Sequence, residues 1–221
     1  MGKPVRFALL AYEDVEPIDV GATFGVLSMA RRVEPAISMV LVAPRAGPVR
    51  MANDLTVIAH HGYADCPPAD ILMVLGGPGW PAQAESPDTI AFIQRMAPTA
   101  MVASVCTGGM ILAATGLLAG RQATTKRHVI GAERSPIDVL RVKYPDIDVV
   151  EARLVDCGPI ITAGGVSLAI DATLHLIERA CGATVAAETA RIIEYQEAWR
   201  ANKKAFPAID ASGSRRAVAG S

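Results

Sequence analysis

The stretch that decides the fold is Met101–Thr115, MVASVCTGGMILAAT. Its apolar run from Val102 to Val105 predicts a short strand that stops at Cys106. A Thr-Gly-Gly turn follows, and the small and apolar residues after it are spaced as in a helix. A strand, a sharp turn and a helix with a thiol at the corner resemble a nucleophile elbow, which lifts one side chain out at the carboxyl edge of a sheet.

Two interpretations of Cys106 follow from this arrangement. A free cysteine is most often a small buried hydrophobe. The Thr-Gly-Gly turn favours a reactive thiol instead, because glycines let the backbone pass close by and the start of a helix directs free N–H groups at a thiolate. We therefore expect Cys106 to be the nucleophile, with a pKa below its ordinary value.

Outward from this stretch, strand and helix patterns alternate along the chain. Apolar runs predict strands at Val5–Ala11, Ile37–Ala43, Ile71–Leu75, Asp148–Val155 and Pro159–Ala163. Helical spacing predicts helices at Asp19–Arg31, Ser86–Met96, Pro136–Tyr144, Ser167–Cys181 and Ala183–Trp199. The alternation indicates an α/β fold with a mostly parallel sheet and helices on both faces. Three strands end in a glycine turn or in the cysteine turn, so we expect the site at their carboxyl ends.

The length and the composition at the C-terminus suggest one domain with a short tail. A chain of 221 residues can form one α/β domain with a sizeable core, whereas two would be cramped. We assign residues 1–200 to this domain. Residues 201–221 become rich in Ala, Ser, Gly and Arg, which indicates a loosely held C-terminal tail.

Composition excludes several classes of partner. There are 21 basic and 22 acidic residues, so no basic surface for nucleic acid is expected. Charges or glycines interrupt every long apolar run, which argues against a membrane span. The apolar residues near the N-terminus form too short a run for a signal peptide and have no small-residue cleavage site before Glu13, so they predict a first strand.

The cysteines and histidines indicate neither disulfides nor a metal. The four cysteines contain no close C-x-x-C pair (Cys66, Cys106, Cys157 and Cys181). A disulfide framework or a zinc knuckle is therefore not expected, and a reducing cytoplasm is the simplest location. We expect no cofactor.

The turn Gly76-Gly77-Pro78-Gly79 directly follows the predicted strand Ile71–Leu75. It is either a plain tight turn or a place where backbone N–H groups can face an anion. Together with the cysteine elbow it predicts an oxyanion hole, with the N–H of Gly77 opposite the N–H of Thr107.

Asp19 lies where the first loop enters a helix, and its role has two readings. Asp is a preferred helix N-cap, so Asp19 could be structural. It could instead be a carboxyl near the thiol that accepts and returns a proton or holds a water. Glu16 and Asp14 are the next candidates for the acid.

The histidines give weaker signals. His128 could form a Cys–His pair suited to a thiol hydrolase, although a lone histidine on a polar turn is more often a surface residue. The pair His60-His61 has no further ligands at metal spacing and fits a loop. His175 lies among apolar residues of a helix and fits a half-buried structural role.

Several motifs together resemble the ThiJ/PfpI superfamily, whose flavodoxin-like domains share the core of class I glutamine amidotransferases. The resemblance runs from Phe7 to about Tyr195. Its motifs are IDVG at 18–21, GGPG at 76–79, SVCTG at 104–108, GLLAGRQATT at 116–125 and ITAGGVSLAID at 161–171. Within the superfamily the chain looks most like the isonitrile hydratases and the sensor halves of certain AraC-type regulators.

The resemblance implies a flavodoxin-like fold in which Cys106 is the nucleophile, Asp19 its acidic partner, and Gly77 and Thr107 the groups that bind the developing anion. It also implies a homodimer and a small-molecule substrate. The expected activity is a cofactor-free hydratase that converts an isonitrile to an N-formamide through a thioimidate on Cys106. The alternatives are a glyoxalase- or amidase-type enzyme of the superfamily and a non-catalytic sensor.

Two positions depart from the pattern of these relatives. The hydratases and many of the regulators have T-T-H where this chain has Thr124-Thr125-Lys126, so lysine replaces a histidine. The proline that usually follows the D-L-x-G motif is Ala22 here, at the expected mouth of the pocket.

Overall fold

Mostly buried and apolar runs form the central strands, as is typical of strands covered on both faces. The structure, a computed structural model, describes residues 3–213. Its strands are, in chain order, β1 (Val5–Leu10), β2 (Ile37–Val42), β3 (Gly47–Arg50), β4 (Thr56–Ala59), β5 (Ile71–Val74), β6 (Met101–Ser104), β7 (Gln122–Ala123), β8 (Asp148–Val149), β9 (Leu154–Asp156), β10 (Ile160–Ala163) and β11 (Ile209–Asp210).

The helices lie mostly between the strands in sequence. They are α1 (Pro17–Val20), α2 (Val26–Ala30), α3 (Trp80–Ala84), α4 (Pro87–Met96), α5 (Gly108–Ala114), α6 (Pro136–Lys143), α7 (Leu168–Cys181), α8 (Ala183–Ile192) and α9 (Gln196–Ala205). Every helix among the described residues is too short or too polar to span a bilayer.

The central sheet has seven strands in the order β11-β9-β10-β6-β5-β1-β2. All its neighbouring strands are parallel except β9 and β10, which are antiparallel. Helices α2, α7 and α8 contact one another, whereas α5 contacts α3, α4 and α6. The predicted flavodoxin-like architecture, a mostly parallel sheet between two helical layers, is confirmed.

The register of the central strands brings their carboxyl ends to one level. Leu10 pairs with Val74, Val74 with Ser104, and Ser104 with Thr162. The segments that follow these four strands therefore meet at the same edge of the sheet, as the rule for open α/β sheets requires.

The first helix contains an irregular turn. One helical segment was expected over Asp19–Arg31, and the observed helix begins at Pro17 and changes to a π-helical turn over Gly21–Gly25 before α2. The hydroxyl of Thr23 donates to the carbonyl of Asp19 over 2.7 Å within this turn. Such π-helical turns occur often at functional sites.

Two predicted elements are divided. The strand expected over Asp148–Val155 is wrong as one element, because β8 pairs with β7 whereas β9 pairs with β10. The helix expected over Ala183–Trp199 is also two helices, α8 and α9. Glu194 lies between them with a φ of 56°, which a continuous helix does not allow.

The start of the expected tail is held against the domain. Residue 201 lies inside α9, and β11 pairs in parallel with β9. A buried network secures this segment: Arg153 donates to Asp171 over 3.0 Å, and Asp171 also accepts from Tyr195 and Asn202. The remainder of the tail, 214–221, lies outside the described residues.

Candidate active site

Cys106 lies directly after β6 and before α5, at the corner that the sequence predicted. Its φ is 53°, a left-handed conformation that costs a residue other than glycine about 1–3 kcal/mol. Two hydrogen bonds hold it there: the N–H of Cys106 donates to the carbonyl of Gly164 over 3.1 Å, and the hydroxyl of Thr125 donates to the carbonyl of Cys106 over 2.6 Å. The side chain is buried at the base of a cavity.

Gly76 is required by the close approach of three segments. A Cβ at this position would lie 2.6 Å from the backbone nitrogen of Thr107, 2.7 Å from Oδ2 of Asp19 and 2.7 Å from Cβ of Cys106. Real Cβ atoms do not tolerate such contacts, since packed interiors leave no room for an extra methyl group. The GGPG motif therefore allows the first helix and the elbow to meet at the end of β5.

Asp19 is not the N-cap of its helix. The helix begins at Pro17, with Glu16 in the capping position, and the carboxyl of Asp19 is fully buried. Its Oδ2 accepts the N–H of Gly76 over 2.9 Å. Its Oδ1 has no hydrogen-bond partner within residues 3–213, although the thiol of Cys106 lies close enough to lower the pKa of the carboxyl. The capping interpretation is therefore wrong.

Burial controls the protonation of the acid. It raises the pKa of Asp19 to about 7, against the opposing effects of the Gly76 N–H and the Cys106 thiol. Close to neutral pH, this carboxyl is thus divided between its protonated and ionised forms.

The pKa of the thiol moves in the opposite direction from our expectation. Burial, followed by the negative charge of Asp19, raises the pKa of Cys106 to about 12. The N–H groups of Thr107 and Val166 and the charge of Lys126 lower it, but they do not overcome these effects. The prediction that this pKa is lowered is wrong. The start of the helix provides N–H donors, but burial removes the thiol from water and so disfavours its charged form.

The expected oxyanion hole has only one of its donors directed at the sulfur. The N–H of Thr107 interacts with the Cys106 thiol. The N–H of Gly77 instead donates to the hydroxyl of Thr107 over 2.8 Å, and this hydroxyl lies 3.2 Å from the carbonyl of Gly77. Gly77 therefore lines the cavity with its N–H already hydrogen-bonded.

Val166 is a site residue that sequence reasoning missed. It follows β10 with a φ of 55°, and its N–H interacts with the Cys106 thiol. A Cβ on the preceding Gly165 would lie 2.9 Å from the sulfur. The signal was present in ITAGGV, where a predicted strand is followed directly by two glycines.

The cavity above Cys106 has a volume of about 660 Å³. Much of its wall is apolar, formed by Ile18, Pro78, Trp80, Val129, Pro136 and Val139. Four charged side chains also line it: Glu16, Lys126, Glu133 and Arg134. The size and lining of the cavity therefore suit a small molecule that has an apolar part.

The remaining candidates lie elsewhere. His128 is exposed, does not line the cavity, and accepts from Lys126 through its carbonyl. Asp14 is 3.4 Å from Arg50 and does not line the cavity. Glu16 does line the cavity, so it is the nearer of the two alternative acids.

The other histidines have structural partners. His60 accepts the N–H of Leu41 over 2.9 Å, and His61 is 3.2 Å from Asp65. His175 is half-buried and 2.8 Å from Asp156.

Comparison with known proteins identifies relatives of this chain in sequence and in structure. A family model described as DJ-1/PfpI matches residues 5–179. The chain is 30% identical over 194 residues to the isonitrile hydratase of Pseudomonas putida, covering 87% of this chain and 77% of the relative. A ThiJ/PfpI family protein from Pseudomonas syringae superposes with a TM-score of 0.73 at 25% identity, covering 94% of this chain and 88% of that chain. The DJ-1beta of Drosophila melanogaster has the same fold, with a TM-score of 0.72 at 18% identity over 88% of this chain and 98% of that chain.

Proposed function

The chain belongs to the DJ-1/PfpI family, and we propose that it is a cofactor-free, cysteine-dependent hydratase that adds water to an isonitrile to give an N-formamide. The identity to the Pseudomonas putida isonitrile hydratase supports the reaction class. Cys106 is the nucleophile in this proposal, Asp19 moves the proton, and the backbone at Thr107 and Gly77 borders the reacting atoms.

The observation that carries the proposal is the pairing of a protonated thiol with an acid of nearly neutral pKa. Cys106 keeps its proton at neutral pH, because its pKa is raised to about 12. Asp19, with a pKa of about 7, can both accept and release a proton near neutrality. Its unpartnered Oδ1 is the oxygen free to do so.

The first step joins the sulfur to the terminal carbon of the isonitrile. The carbon of R–N≡C has little steric cover and takes both a nucleophile and a proton. Asp19 accepts the proton of the thiol as the S–C bond forms, and then gives this proton to the same carbon. The product is the thioimidate R–N=CH–S–Cys106, and Asp19 returns to its ionised form.

The second step adds water to this thioimidate. Hydroxide from the water bonds to the carbon and its proton bonds to the nitrogen, which gives a tetrahedral adduct. The N–H groups of Thr107 and Val166, which face the sulfur, support the developing negative charge there as the C–S bond breaks. The hydroxyl proton of the adduct passes to the sulfur, which leaves R–NH–CHO and the free thiol.

Amide hydrolysis by a Cys–His pair fits the site less well. Such chemistry needs a histidine within hydrogen-bond reach of the thiol. In the described part of the chain no histidine lines the cavity, and the position where relatives have histidine is Lys126. A non-catalytic sensor would need neither the thiol nor the buried acid.

The test is turnover of an aliphatic isonitrile beside methylglyoxal, with the formamide or the hydroxy acid quantified. We expect formamide from the wild-type protein and none from Cys106→Ala. The matched control is Cys181→Ala, which removes a half-buried thiol on α7 and should retain turnover. Turnover of methylglyoxal alone would favour the glyoxalase alternative, and turnover of neither would favour a sensor.

A further inference from the structure

The cavity contains a cation beside the reacting groups. Lys126 lines the cavity, and its charge lowers the pKa of both Cys106 and Asp19. Its Cβ is 3.1 Å from the position that a Cβ on Gly165 would take, so the residue packs against the loop that contacts the sulfur. The charge of the Lys126 ammonium thus affects both groups that the proposed reaction uses, Cys106 and Asp19.

The ammonium of Lys126 has more N–H donors than its observed hydrogen bond uses. Its Nζ donates to the carbonyl of His128 over 2.6 Å. An ammonium has three N–H donors, so two remain. Within residues 3–213 no carboxylate lies at ion-pair distance from Lys126, and the same holds for Arg134 at the same cavity. The two remaining N–H donors can form charge-assisted hydrogen bonds to a bound anion.

The cavity also contains two acids, Glu16 and Glu133, which equal the two cations in number. The four charged side chains affect different groups of the site. Lys126 acts on both Cys106 and Asp19, whereas the effect of Glu16 is on Asp19, whose pKa it raises. Glu133 and Arg134 are exposed at the rim, where water screens their charges. The charges near the sulfur therefore include one cation, Lys126, and the carboxyl that its charge affects, Asp19, is only partly ionised near neutral pH.

We propose that Lys126 selects substrates that carry a small anionic group, such as a carboxylate, separated from the reacting carbon by a short apolar chain. The inference rests on the proposed function, and it names the substrate class as carboxylate-bearing isonitriles. The anionic group receives hydrogen bonds from the two free N–H donors of Lys126. The apolar walls formed by Ile18, Trp80 and Val139 contact the chain between the two ends.

The first test measures charge selection at Cys106 without requiring turnover. Iodoacetate and iodoacetamide are nearly the same size, and each forms an S–C bond to the thiolate with loss of iodide. The iodoacetate-to-iodoacetamide rate ratio at Cys106 should exceed the ratios at Cys66 and Cys181 in the same molecule by roughly tenfold, as for a charge-assisted hydrogen bond. Mass spectrometry of time points gives all three ratios.

Variants assign this selection to Lys126. The ratio at Cys106 should fall to that of the other cysteines in Lys126→Met and should stay high in Lys126→Arg. Arg134→Met should lower it less, because Arg134 is exposed. Lys143→Met, which removes a lysine outside the cavity, controls for net charge and should leave the ratio unchanged. An equal ratio in the wild type and in Lys126→Met would overturn the proposal.

The second test compares hydration of 2-isocyanoacetate and 2-isocyanoacetamide, which differ in charge and little in shape. The wild type should have the higher kcat/KM for the anion, and Lys126→Met should lose this preference through a raised KM. Equal hydration of both by the wild type overturns the selection and leaves the hydratase proposal standing. If neither is hydrated while the alkylation ratio still depends on Lys126, the hydratase proposal and the isonitrile substrate class fail, and only the selection of an anionic group at Cys106 stands.

Discussion

Oδ2 of Asp19 accepts the backbone N–H of Gly76 over 2.9 Å, which joins the first helix to the end of β5 and fixes the orientation of the carboxyl. The other oxygen, Oδ1, has no hydrogen-bond partner in the part of the chain that is described. One oxygen is thus used for position, and the second is available for chemistry.

Replacing Asp19 with asparagine separates these two uses. In Asp19→Asn the side-chain oxygen can still accept from Gly76, but the amide cannot serve as an acid or a base. Turnover should fall by about 10²–10⁴-fold, the usual contribution of general acid–base catalysis. Steady-state kinetics and thermal unfolding measure the two effects, and Glu16→Gln is the comparison. Near-normal turnover in Asp19→Asn would indicate that Glu16 or water transfers the proton instead.

The same carboxyl should make stability depend on pH. Below pH 3.8, the ordinary pKa, both the folded and unfolded states are protonated. Between this pH and about 7 only the unfolded state ionises, so the free energy of unfolding falls as pH rises, by roughly 4 kcal/mol at most. Urea unfolding at several pH values should show this component in the wild type and not in Asp19→Asn. Parallel curves for the two proteins would contradict the raised pKa.

The raised pKa of Cys106 predicts slow alkylation at neutral pH. The thiolate is the reactive form, so the iodoacetamide rate should keep rising about tenfold per pH unit well above pH 9, where an ordinary thiol has reached its limit. Asp19→Asn removes the negative charge beside the sulfur and should shift this profile to lower pH. A wild-type profile that levels off below pH 8 would instead support the depressed pKa that the sequence suggested.

Gly76→Ala should disrupt the site through its backbone contacts. The added Cβ would meet the backbone of Thr107 and the side chains of Asp19 and Cys106 at 2.6–2.7 Å, so we expect a loss of roughly 1–3 kcal/mol in stability, the usual cost of overpacking, together with a loss of turnover. Gly21→Ala is the control, because a Cβ there has nothing within 4 Å and the backbone is helical. Chemical denaturation of both variants measures the difference, and equal stabilities would show that the segments can separate without cost.

The buried Arg153–Asp171 pair should stabilise the C-terminal segment. Removing one member leaves an uncompensated buried charge, which typically costs about 3–5 kcal/mol. Asp171→Ala also removes the acceptor of Tyr195 and Asn202, so hydrogen exchange in α9 should increase. Glu197→Ala, which breaks an exposed ion pair with Arg200, should change stability by less than about 1 kcal/mol. A similar small effect for Asp171→Ala would show that the segment is held by other contacts.

Sequence reasoning succeeded where the signal was local. The elbow at Cys106 and the strands before it could be predicted because apolar runs and glycine turns act within a few residues. The choice between a cap and an acid for Asp19 could not be made, since it depends on Gly76, which is distant in sequence but 2.9 Å away in space.

The pKa of Cys106 was predicted in the wrong direction for a related reason. A helix start with free N–H groups is visible in the sequence, but the burial that outweighs it arises from packing of segments that are far apart. Val166 was missed because its contribution is a backbone N–H, which any residue type could supply, in a left-handed conformation that β-branched residues rarely adopt.

The register that aligns the ends of four strands has a consequence for folding. The surroundings of Cys106 are built from Asp19, Gly76 and Val166, which belong to segments joined by long crossovers. Parallel pairing of such segments is slow, because each crossover must close before its contacts form. The thiol is therefore shielded only when nearly the whole sheet has assembled. Protection of Cys106 from alkylation during refolding then indicates that the native fold is complete.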